Sequence, residues 1–273
     1  MKKEERLIFY DNDLEIEAYK FSGINQKFPN HFHDYYVIGA ITKGQSIFYS
    51  KNYSKDLHKN DLLLLNPQDN HACEPCPDKL FEYYGLNVPQ ETMQALNKEL
   101  TGKDTFPVFK KPVEQNIFLV NLLKQIYTMI KKNTTAFKKQ ENFYFFMDQL
   151  LSEYTTAQPI QKEELRKELA IVCQHMESNY AQNITLAELA TISGLSKYHL
   201  LRSFVREKGI SPYRYLETIR INKAKELLQK QIPVHQVAID TGFSDQSHFS
   251  NFFKEFIGLT PKQYMNIFKE ESL

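Results

Sequence analysis

The sequence carries one pattern twice in its C-terminal half. The segment GLSKYHLLRSFVREKGISP, residues 194–212, recurs more loosely as GFSDQSHFSNFFKEFIGLTP, residues 242–261. Each copy contains a glycine, a serine, an apolar pair, a second glycine and a hydroxyl-bearing residue before proline. Glycine and proline at fixed offsets mark where helices end and begin, so the repeat predicts that one small helical unit is built twice.

The first copy contains the start and stop signals of two short helices. Thr185 and Glu188 fit a capping box at the start of one helix. Gly194 permits a tight turn, because glycine takes positive φ without steric cost. Ser196 is a candidate N-cap for the helix KYHLLRSFVREK, which Gly209 ends. Two helices joined by a tight turn form a helix-turn-helix unit.

The two faces of the KYHLLRSFVREK helix differ. Helical periodicity places three residues on the inner face: Leu200, Ser203 and Phe204. The opposite face carries a mixed set: Tyr198, Leu201, Arg202 and Val205. A core helix has no reason to expose Tyr, Leu and Val together unless something covers them. We therefore expect the outward face to contact DNA, as the second helix of a DNA-binding helix-turn-helix does.

The second copy repeats this layout with one additional residue in the turn. Gly242 matches Gly194, and Phe253 matches Phe204. Its outward face has short hydrogen-bonding side chains and one cation: Gln246, Ser247, Ser250, Asn251 and Lys254. Such side chains suit base edges and phosphates, and they would suit water equally well.

A single long helix, PYRYLETIRINKAKELLQK, joins the two units. A rigid connector of this kind can hold two reading helices on one side of a DNA duplex, in successive major grooves about 34 Å apart. Each unit alone makes few contacts, but the second docks intramolecularly once the first has bound. The repeat therefore predicts a double helix-turn-helix with units at 185–208 and 234–257.

Residues 165–270 resemble the DNA-binding domain of the AraC/XylS family of bacterial transcription regulators. The resemblance rests on the motif G-F-S-D-Q-S-H-F-S-N-F-F-K-x-x-x-G-x-T-P-x-x-Y, which begins at Gly242. With the neighbouring basic residues, it implies these DNA-binding residues: Tyr198, Leu201, Arg202, Arg206, Gln246, Ser247, Ser250, Asn251 and Lys254. Asn251 and Met265 stand where the family commonly has basic residues, so we expect weaker backbone contacts from the second unit. Leu201 stands at an often polar position, and we expect it to read a thymine methyl.

The N-terminal half has the pattern of short strands separated by turns. YYVIGAI, QSIFYS and DLLLLN are strand-like runs of the kind that form β-sandwiches and barrels. This region resembles the sensor domain of the same family, a cupin-like β-barrel, through these residues: His31, His33, Gly44, Asn66, Pro67 and His71. The resemblance implies that the barrel mouth binds a small effector or none, and the candidate effector-binding residues are His31, His33, Tyr35 and His71.

Three histidines from separate strands could instead hold a metal, as in enzymatic cupins. Those enzymes usually add a glutamate soon after the histidine pair, whereas this sequence offers only Asp34. Histidines satisfied by hydrogen bonds in a packed or solvated site are the remaining alternative. Strand alternation would place His31, His33 and Tyr35 on one face and Phe32 and Asp34 on the other, without indicating which face points inward.

A Cys-x-x-Cys pair, Cys73 and Cys76, follows His71. Such a pair could bind zinc or act as a redox couple. No second pair exists in the sequence and the motif falls where a barrel loop is expected, so two incidental cysteines are the favoured interpretation. The chain has 3 cysteines, which argues against a disulfide framework and for a reducing compartment.

Helical spacing replaces the strand pattern from residue 112 onward. Apolar positions recur at helical intervals in 117–130 and 143–154. Both helices carry more apolar surface than a cover over a sheet requires, so a helix-pair dimer interface is favoured over a core-only role. The expected domains are a cupin-like sensor at 1–110, a helix pair at 111–157, a linker at 158–164 and a DNA-binding domain at 165–273.

Charge and hydropathy exclude some function classes. The net charge of +1 gives the whole chain no nucleic-acid signature, although residues 197–230 carry nine basic and three acidic side chains. A solvated face explains such a patch as readily as DNA does. The N-terminus lacks the apolar segment of a signal peptide, and no apolar run reaches the roughly 20 residues of a membrane span. We expect a cytoplasmic bacterial protein.

Together these observations predict an α+β multidomain protein: an N-terminal cupin-like β-barrel with a helix pair, followed by an all-α double helix-turn-helix. The predicted function is sequence-specific transcription regulation, with activation favoured over repression. The expected partners are double-stranded DNA, a second copy of the chain, RNA polymerase for an activator and a small-molecule effector. No catalytic residue, metal or cofactor is assigned. The alternatives are an effector-independent regulator controlled by its level or a partner, and a metal-dependent cupin enzyme with a DNA-binding tail.

Overall fold

The computed structural model describes residues 4–50, 53–76, 81–156 and 167–269, so the 158–164 linker lies outside the described residues. The strands are β1 (Glu5–Asp11), β2 (Ile16–Ile24), β3 (Phe28–His31), β4 (Tyr36–Lys43), β5 (Ser46–Ser50), β6 (Tyr53–Leu57), β7 (Asp61–Leu65), β8 (His71–Pro75), β9 (Phe81–Val88), β10 (Val108–Phe109), β11 (Val113–Gln115) and β12 (Thr155–Thr156). The helices are α1 (Gln90–Thr101), α2 (Ile117–Lys131), α3 (Ala136–Tyr154), α4 (Lys167–Ser178), α5 (Leu186–Ser193), α6 (Lys197–Lys208), α7 (Pro212–Gln229), α8 (Val234–Asp240), α9 (Gln246–Ile257) and α10 (Pro261–Ile267). None of these helices is long and apolar enough to cross a membrane.

The chain forms two compact units. The second contains α4–α10 together with Phe28–Phe32 and Asn70–Ala72, and the first contains the other described residues. A six-stranded antiparallel sheet runs in the order β1-β2-β9-β4-β7-β11. A four-stranded sheet has the order β3-β8-β5-β6, and β10 pairs with β12. The predicted fold class, a β-rich N-terminal half and a helical C-terminal half, is confirmed.

Strand β7 explains where the core of the first unit lies. Its sequence DLLLL is buried along its whole length. Leu62 and Leu64 belong to a core that also contains residues of α2 and α3. Leu63 and Leu65 point the other way, into a second core with Phe48. Because both faces of the strand are covered, its sequence is a continuous apolar run with no polar alternation.

Most positions of the apolar stripes of α2 and α3 lie inside the first unit. Leu123 is 0 % exposed and packs in the same core as Leu62 and Leu64. The other predicted interface positions buried there are Val120, Ile126, Tyr127, Ile130, Phe143, Phe146, Met147, Leu150 and Tyr154. These buried positions therefore pack against the sheet, and the dimer contact expected of the helix pair stays a prediction. The outer face of the sheet is as apolar as its inner face, and a helical layer must cover it.

Some apolar side chains on these two helices are exposed, and Ile117 of the predicted stripe is among them. Ile117 is 58 % exposed, Phe118 is 51 % exposed and Phe145 is 48 % exposed. The rings of Phe118 and Phe145 meet edge to face, with centroids 6.2 Å apart. We call Ile117, Phe118 and Phe145 the aromatic patch. It lies on the side of α2 and α3 that the sheet does not cover.

The second unit has two small cores that share α7. Leu216 and Ile219, in the first half of α7, pack in a core with Leu200 of α6. Ile221 in the second half packs in a core with Phe249 of α9. Each helix-turn-helix therefore has its own hydrophobic core, and the connecting helix belongs to both.

The predicted helix boundaries of the second unit are confirmed by their caps. Thr185 and Glu188 form the expected capping box at α5. The side chain of Ser196 accepts a hydrogen bond at the start of α6. Helices α6 and α9 end at Gly209 and Gly258, with φ of 75° and 84°. Glycine occupies this left-handed conformation without the strain that a Cβ would add.

Candidate nucleic-acid interface

Helix α6 turns two arginines toward solvent. The hydroxyl of Ser196 accepts a hydrogen bond from the backbone N–H of His199 at 3.3 Å, which fixes the start of the helix. Leu200 is completely buried, and helical periodicity then places Arg202 and Arg206 on the outer side, where both are exposed. The exposed position predicted for Arg202 is confirmed.

Arg202 and Arg206 border a shallow pocket on α6 with a volume of about 450 Å³. Its lining residues are His199, Arg202, Ser203 and Arg206. The guanidinium of Arg206 contacts Glu207 at 3.1 Å, an exposed ion pair of the kind that contributes little to stability. Guanidinium groups match phosphate oxygens with two parallel hydrogen bonds, so this surface can bind a phosphate. The sequence interpretation did not include His199, although it lies three residues before Arg202 and thus on the same side of the helix.

The rest of the predicted outward face of α6 is partly exposed. Val205 is 46 % exposed and Leu201 is half-buried. Tyr198 lies in the first turn of α6, and its side chain is outside the described part of the structure. An exposed valine beside a half-buried leucine provides an apolar surface next to the arginines, which suits contact with a thymine methyl group.

Helix α9 has a different surface chemistry. Phe249 and Phe253 are buried, so the outward side carries the predicted polar residues. Gln246, Ser247, Asn251 and Lys254 are exposed and Ser250 is half-buried. Lys254 is the one cation in this candidate set from α9, whereas α6 contributes Arg202 and Arg206. The two helices therefore differ in the positive charge that their candidate residues offer, and positive charge is what binds a phosphate backbone.

The N-terminus of α9 already carries an anion. A carboxylate oxygen of Asp245 accepts a hydrogen bond from the backbone N–H of His248 at 2.7 Å. This hydrogen bond holds the pKa of the Asp245 carboxyl below its ordinary value. A negative charge is favourable at this end of a helix. Because Asp245 occupies that place, Gln246 and Ser247 are better suited to base edges than to a phosphate.

Three basic residues of the 197–230 patch are engaged inside the second unit. Lys225 is 6 % exposed, and the side chain of Arg214 is 19 % exposed. Arg220 donates hydrogen bonds to the backbone carbonyls of Tyr180 and Gln182, at 2.8 and 2.9 Å. The charge count therefore overstated the basic surface of α7, because spacing along the sequence does not separate inward from outward cations on a helix that has two cores.

The segment around the candidate effector residues is not one continuous strand. β3 ends at His31, β4 starts at Tyr36, and residues 32–35 between them are irregular. The expected alternation of faces from His31 to Val37 is therefore wrong. Phe32 is buried in a hydrophobic cluster of the second unit that also contains Leu200 and Phe204.

The four candidate effector residues divide between the units. His31 and His71 belong to the second unit, are both buried, and have ring centroids 4.5 Å apart. Burial, together with the neighbouring His71, holds the pKa of His31 well below its ordinary value, so His31 is neutral at pH 7. His33 and Tyr35 belong to the first unit, and their rings stack at 4.8 Å. The effector-binding and metal-binding roles of these residues stay predictions.

The cysteine pair sits at the end of a strand. Cys73 lies in β8 and packs against the core that contains Phe48. Burial raises the pKa of the Cys73 thiol to about 12. The thiolate is the reactive form of cysteine, so this environment disfavours redox exchange by Cys73, and the zinc-binding alternative stays a prediction.

Two family models match the chain. The model for an AraC-like ligand binding domain matches residues 13–147, and the model for a helix-turn-helix domain matches residues 189–267. The chain is 44 % identical over 249 residues to the HTH-type transcriptional regulator YbfI of Bacillus subtilis strain 168, covering 91 % of this chain and 90 % of YbfI. It is 25 % identical over 273 residues to the regulator YdeC of the same strain, covering 92 % of each chain.

Solved structures show the same two-part fold. An apo form of a ToxT variant from Vibrio cholerae superimposes with a TM-score of 0.58 at 16 % identity, over 96 % of this chain and 100 % of that one. ToxT bound to an unsaturated fatty acid superimposes with a TM-score of 0.53 at 18 % identity, over 98 % of both chains. With its repeated helix-turn-helix, its β-rich N-terminal half and its likeness to YbfI, this chain belongs to the AraC/XylS family of DNA-binding transcription regulators with an N-terminal ligand-binding domain.

Proposed function

We propose that this protein is a homodimeric transcription activator that binds two successive major grooves through α6 and α9 and responds to a small effector. One observation carries the proposal: two capped helices with solvent-facing polar surfaces belong to a single unit built around α7. A DNA-binding protein with two such helices gains affinity when the second helix docks intramolecularly, because each helix alone makes few contacts.

The two helices are assigned different roles. On α6, Arg202 and Arg206 supply phosphate contacts, and each charge neutralised on DNA releases counterions. On α9, Gln246 and Asn251 supply base-edge hydrogen bonds, since amide side chains match adenine in the major groove. The first unit would then contribute most of the salt-dependent affinity, and the second would contribute sequence preference.

The effector is proposed to be a small molecule bound by the N-terminal domain. One fold neighbour, ToxT, has been solved with an unsaturated fatty acid bound. Apolar carboxylic acids are therefore a sensible first set for a thermal-shift screen, in which a true ligand raises the melting temperature by mass action. A protein that responds to none of the compounds tested would support the effector-independent alternative.

The proposed dimer forms through the aromatic patch of α2 and α3. Exposed aromatic clusters of this kind are unusual on monomers and are typical of protein contacts. A second copy of the chain offers the same patch, and a two-fold axis would pair Phe118 and Phe145 with their own copies. For an activator, RNA polymerase is the further expected partner.

Selection of genomic fragments tests the DNA-binding proposal directly. Purified protein is mixed with sheared genomic DNA at fixed salt, and the retained fragments are sequenced. We expect an enriched motif with two short boxes about one helical turn apart. Enrichment of a single box would contradict two-groove binding, and no enrichment by the folded protein would contradict sequence-specific binding by the effector-free form.

A further inference from the structure

Arg214 joins the connecting helix to the second reading helix. It lies in the first turn of α7, where Ser211 caps the helix by accepting the backbone N–H of Arg214 at 3.2 Å. Its guanidinium donates to Glu255 of α9 at 3.2 Å. The same group lies over the rings of Phe256 and Phe252, 4.4 and 5.2 Å from the ring centroids. One side chain therefore holds α9 by both charge and cation–π contact.

The same guanidinium also contacts a strand from the N-terminal half of the chain. Its Nε donates to the backbone carbonyl of Asn30 at 3.2 Å. The side-chain amide of Asn30 donates to the backbone carbonyl of Gly209 at 3.3 Å. Gly209 is the residue that ends α6. Asn30 therefore links the end of α6 to Arg214, the residue that holds α9.

Phe32 anchors this strand in the core of the first helix-turn-helix. It is 3 % exposed and packs in the same cluster as Leu200 and Phe204 of α6. Its ring lies 5.1 Å from the ring of Tyr215, the residue after Arg214. Between Asn30 and Phe32, the ring of His31 meets the ring of Phe256 of α9 edge to face, with centroids 5.6 Å apart. Residues Phe28–Phe32, which we call the clamp segment, thus contact both helix-turn-helix units.

The contacts of Arg214 are those of a residue that holds two helices together, and they differ from the contacts of an exposed surface charge. It also pairs with Glu217, whose side chain is 5 % exposed, at 3.3 Å. A planar guanidinium can serve several acceptors in fixed directions, whereas a lysine ammonium cannot match this arrangement. Burial raises the pKa of Glu217, and the hydrogen bond from Arg214 acts in the opposite direction.

We propose that the clamp segment closes around Arg214 and fixes α9 relative to α6, so that it sets the spacing between the two DNA boxes that the protein accepts. Arg214 is then a positioning residue, and it is absent from the predicted DNA contacts. Release of the clamp segment loosens α9 and widens the accepted spacing. The inference rests on the proposed two-groove binding.

The test measures spacing preference with the full-length protein. The probes are duplexes carrying the two boxes found by genomic selection at their natural spacing, duplexes with one to three base pairs added between the boxes, and duplexes with either box alone. The variants are Arg214→Met, Phe32→Ala and the double variant. Lys223→Met is the control, because Lys223 also lies on α7 but pairs with Glu226 near the surface.

We expect both single variants to lose about tenfold or more in affinity for the natural two-box duplex, because intramolecular docking of a second module is worth 10²–10⁴-fold when its geometry is right. Affinity for the single boxes should be unchanged, and affinity should depend less on spacing. The double variant should lose little more than either single variant, because both act on one joint. Lys223→Met should behave as wild type.

Other outcomes overturn the inference. Equal losses on one-box and two-box duplexes would indicate general damage to the unit, and an unchanged spacing preference would show that the clamp segment does not position α9. If Phe32→Ala fails to fold, Asn30→Ala replaces it, since this change removes only the hydrogen bond to Gly209. Wild-type protein with no preference for two boxes over one would instead contradict the proposed function.

Discussion

The backbone of Gly242 lies directly against the carbonyl group of Ala181. A Cβ atom at Gly242 would come 2.7 Å from that carbonyl oxygen, closer than real Cβ atoms approach. The φ of Gly242 is also positive, at +78°. Arg220 holds the same loop by hydrogen bonds to the carbonyls on either side of Ala181. The turn glycine of the second unit is therefore also a packing contact with the loop before α5.

This contact predicts that alanine substitution lowers the unfolding free energy by different amounts at two equivalent glycines, Gly194 and Gly242. Gly194 occupies the equivalent turn in the first unit with φ +67°, but a Cβ there would meet nothing within 4 Å. Gly194→Ala should cost only the left-handed strain, about 1–2 kcal/mol of unfolding free energy. Gly242→Ala should cost more, because the backbone of the 180–182 loop must also move. Urea denaturation of both variants measures the difference, and equal losses would contradict the close packing.

Salt dependence tests the role assigned to α6. Arg202→Ala should weaken DNA binding and reduce the slope of log K against log salt by about one, the value expected for one lost phosphate contact. Lys124 is an exposed lysine on α2, so Lys124→Ala serves as the matched control and should leave the slope unchanged. Fluorescence anisotropy over a series of salt concentrations measures the DNA affinity and the salt slope of each protein. The same slope in Arg202→Ala and wild type would remove Arg202 from the phosphate contacts.

Two substitutions distinguish the role of the aromatic patch in dimerisation from the role of the core beneath it in folding. Phe145→Glu changes a side chain that is 48 % exposed, so the fold should persist while the proposed dimer dissociates. Leu123→Glu places a charge at a position with no exposure and should unfold the first unit at a cost of several kcal/mol. Light scattering and circular dichroism distinguish the two results. A dimer mass that Phe145→Glu leaves intact would place the interface elsewhere.

The thiol of Cys73 should be unreactive in the folded protein. With a pKa raised to about 12 by burial, its thiolate fraction at pH 8 is about one part in ten thousand, and thiolate is the reactive form. Iodoacetamide treatment at pH 8 followed by peptide mass spectrometry should leave Cys73 unmodified. The same reaction in urea should label it fully, which provides the control. Rapid native labelling would show that β8 is not packed as described.

The strongest sequence predictions concern features that neighbouring residues determine. The capping box of Thr185 and Glu188, the N-cap Ser196 and the stop at Gly209 depend on hydrogen bonds and φ angles within a few residues. All of these are confirmed, and none depends on a distant part of the chain. The family resemblance also rests on such local spacing, in the run that begins at Gly242.

The features that the sequence could not predict depend on which element packs against a given side chain. The periodicity of α2 identifies an apolar stripe but cannot distinguish a sheet from a second subunit as its cover, and the stripe at Leu123 packs on the sheet. A count of basic residues cannot tell Arg202, which is exposed, from Arg214, which joins α7 to α9.

The sequence by itself determined the double helix-turn-helix, because caps and turns act over a few residues. Only the tertiary structure decided that Phe32 leaves the strand pattern and packs beside Tyr215, far along the chain. The physical reason is that burial is a property of the assembled core, and residues distant in sequence compete to fill it.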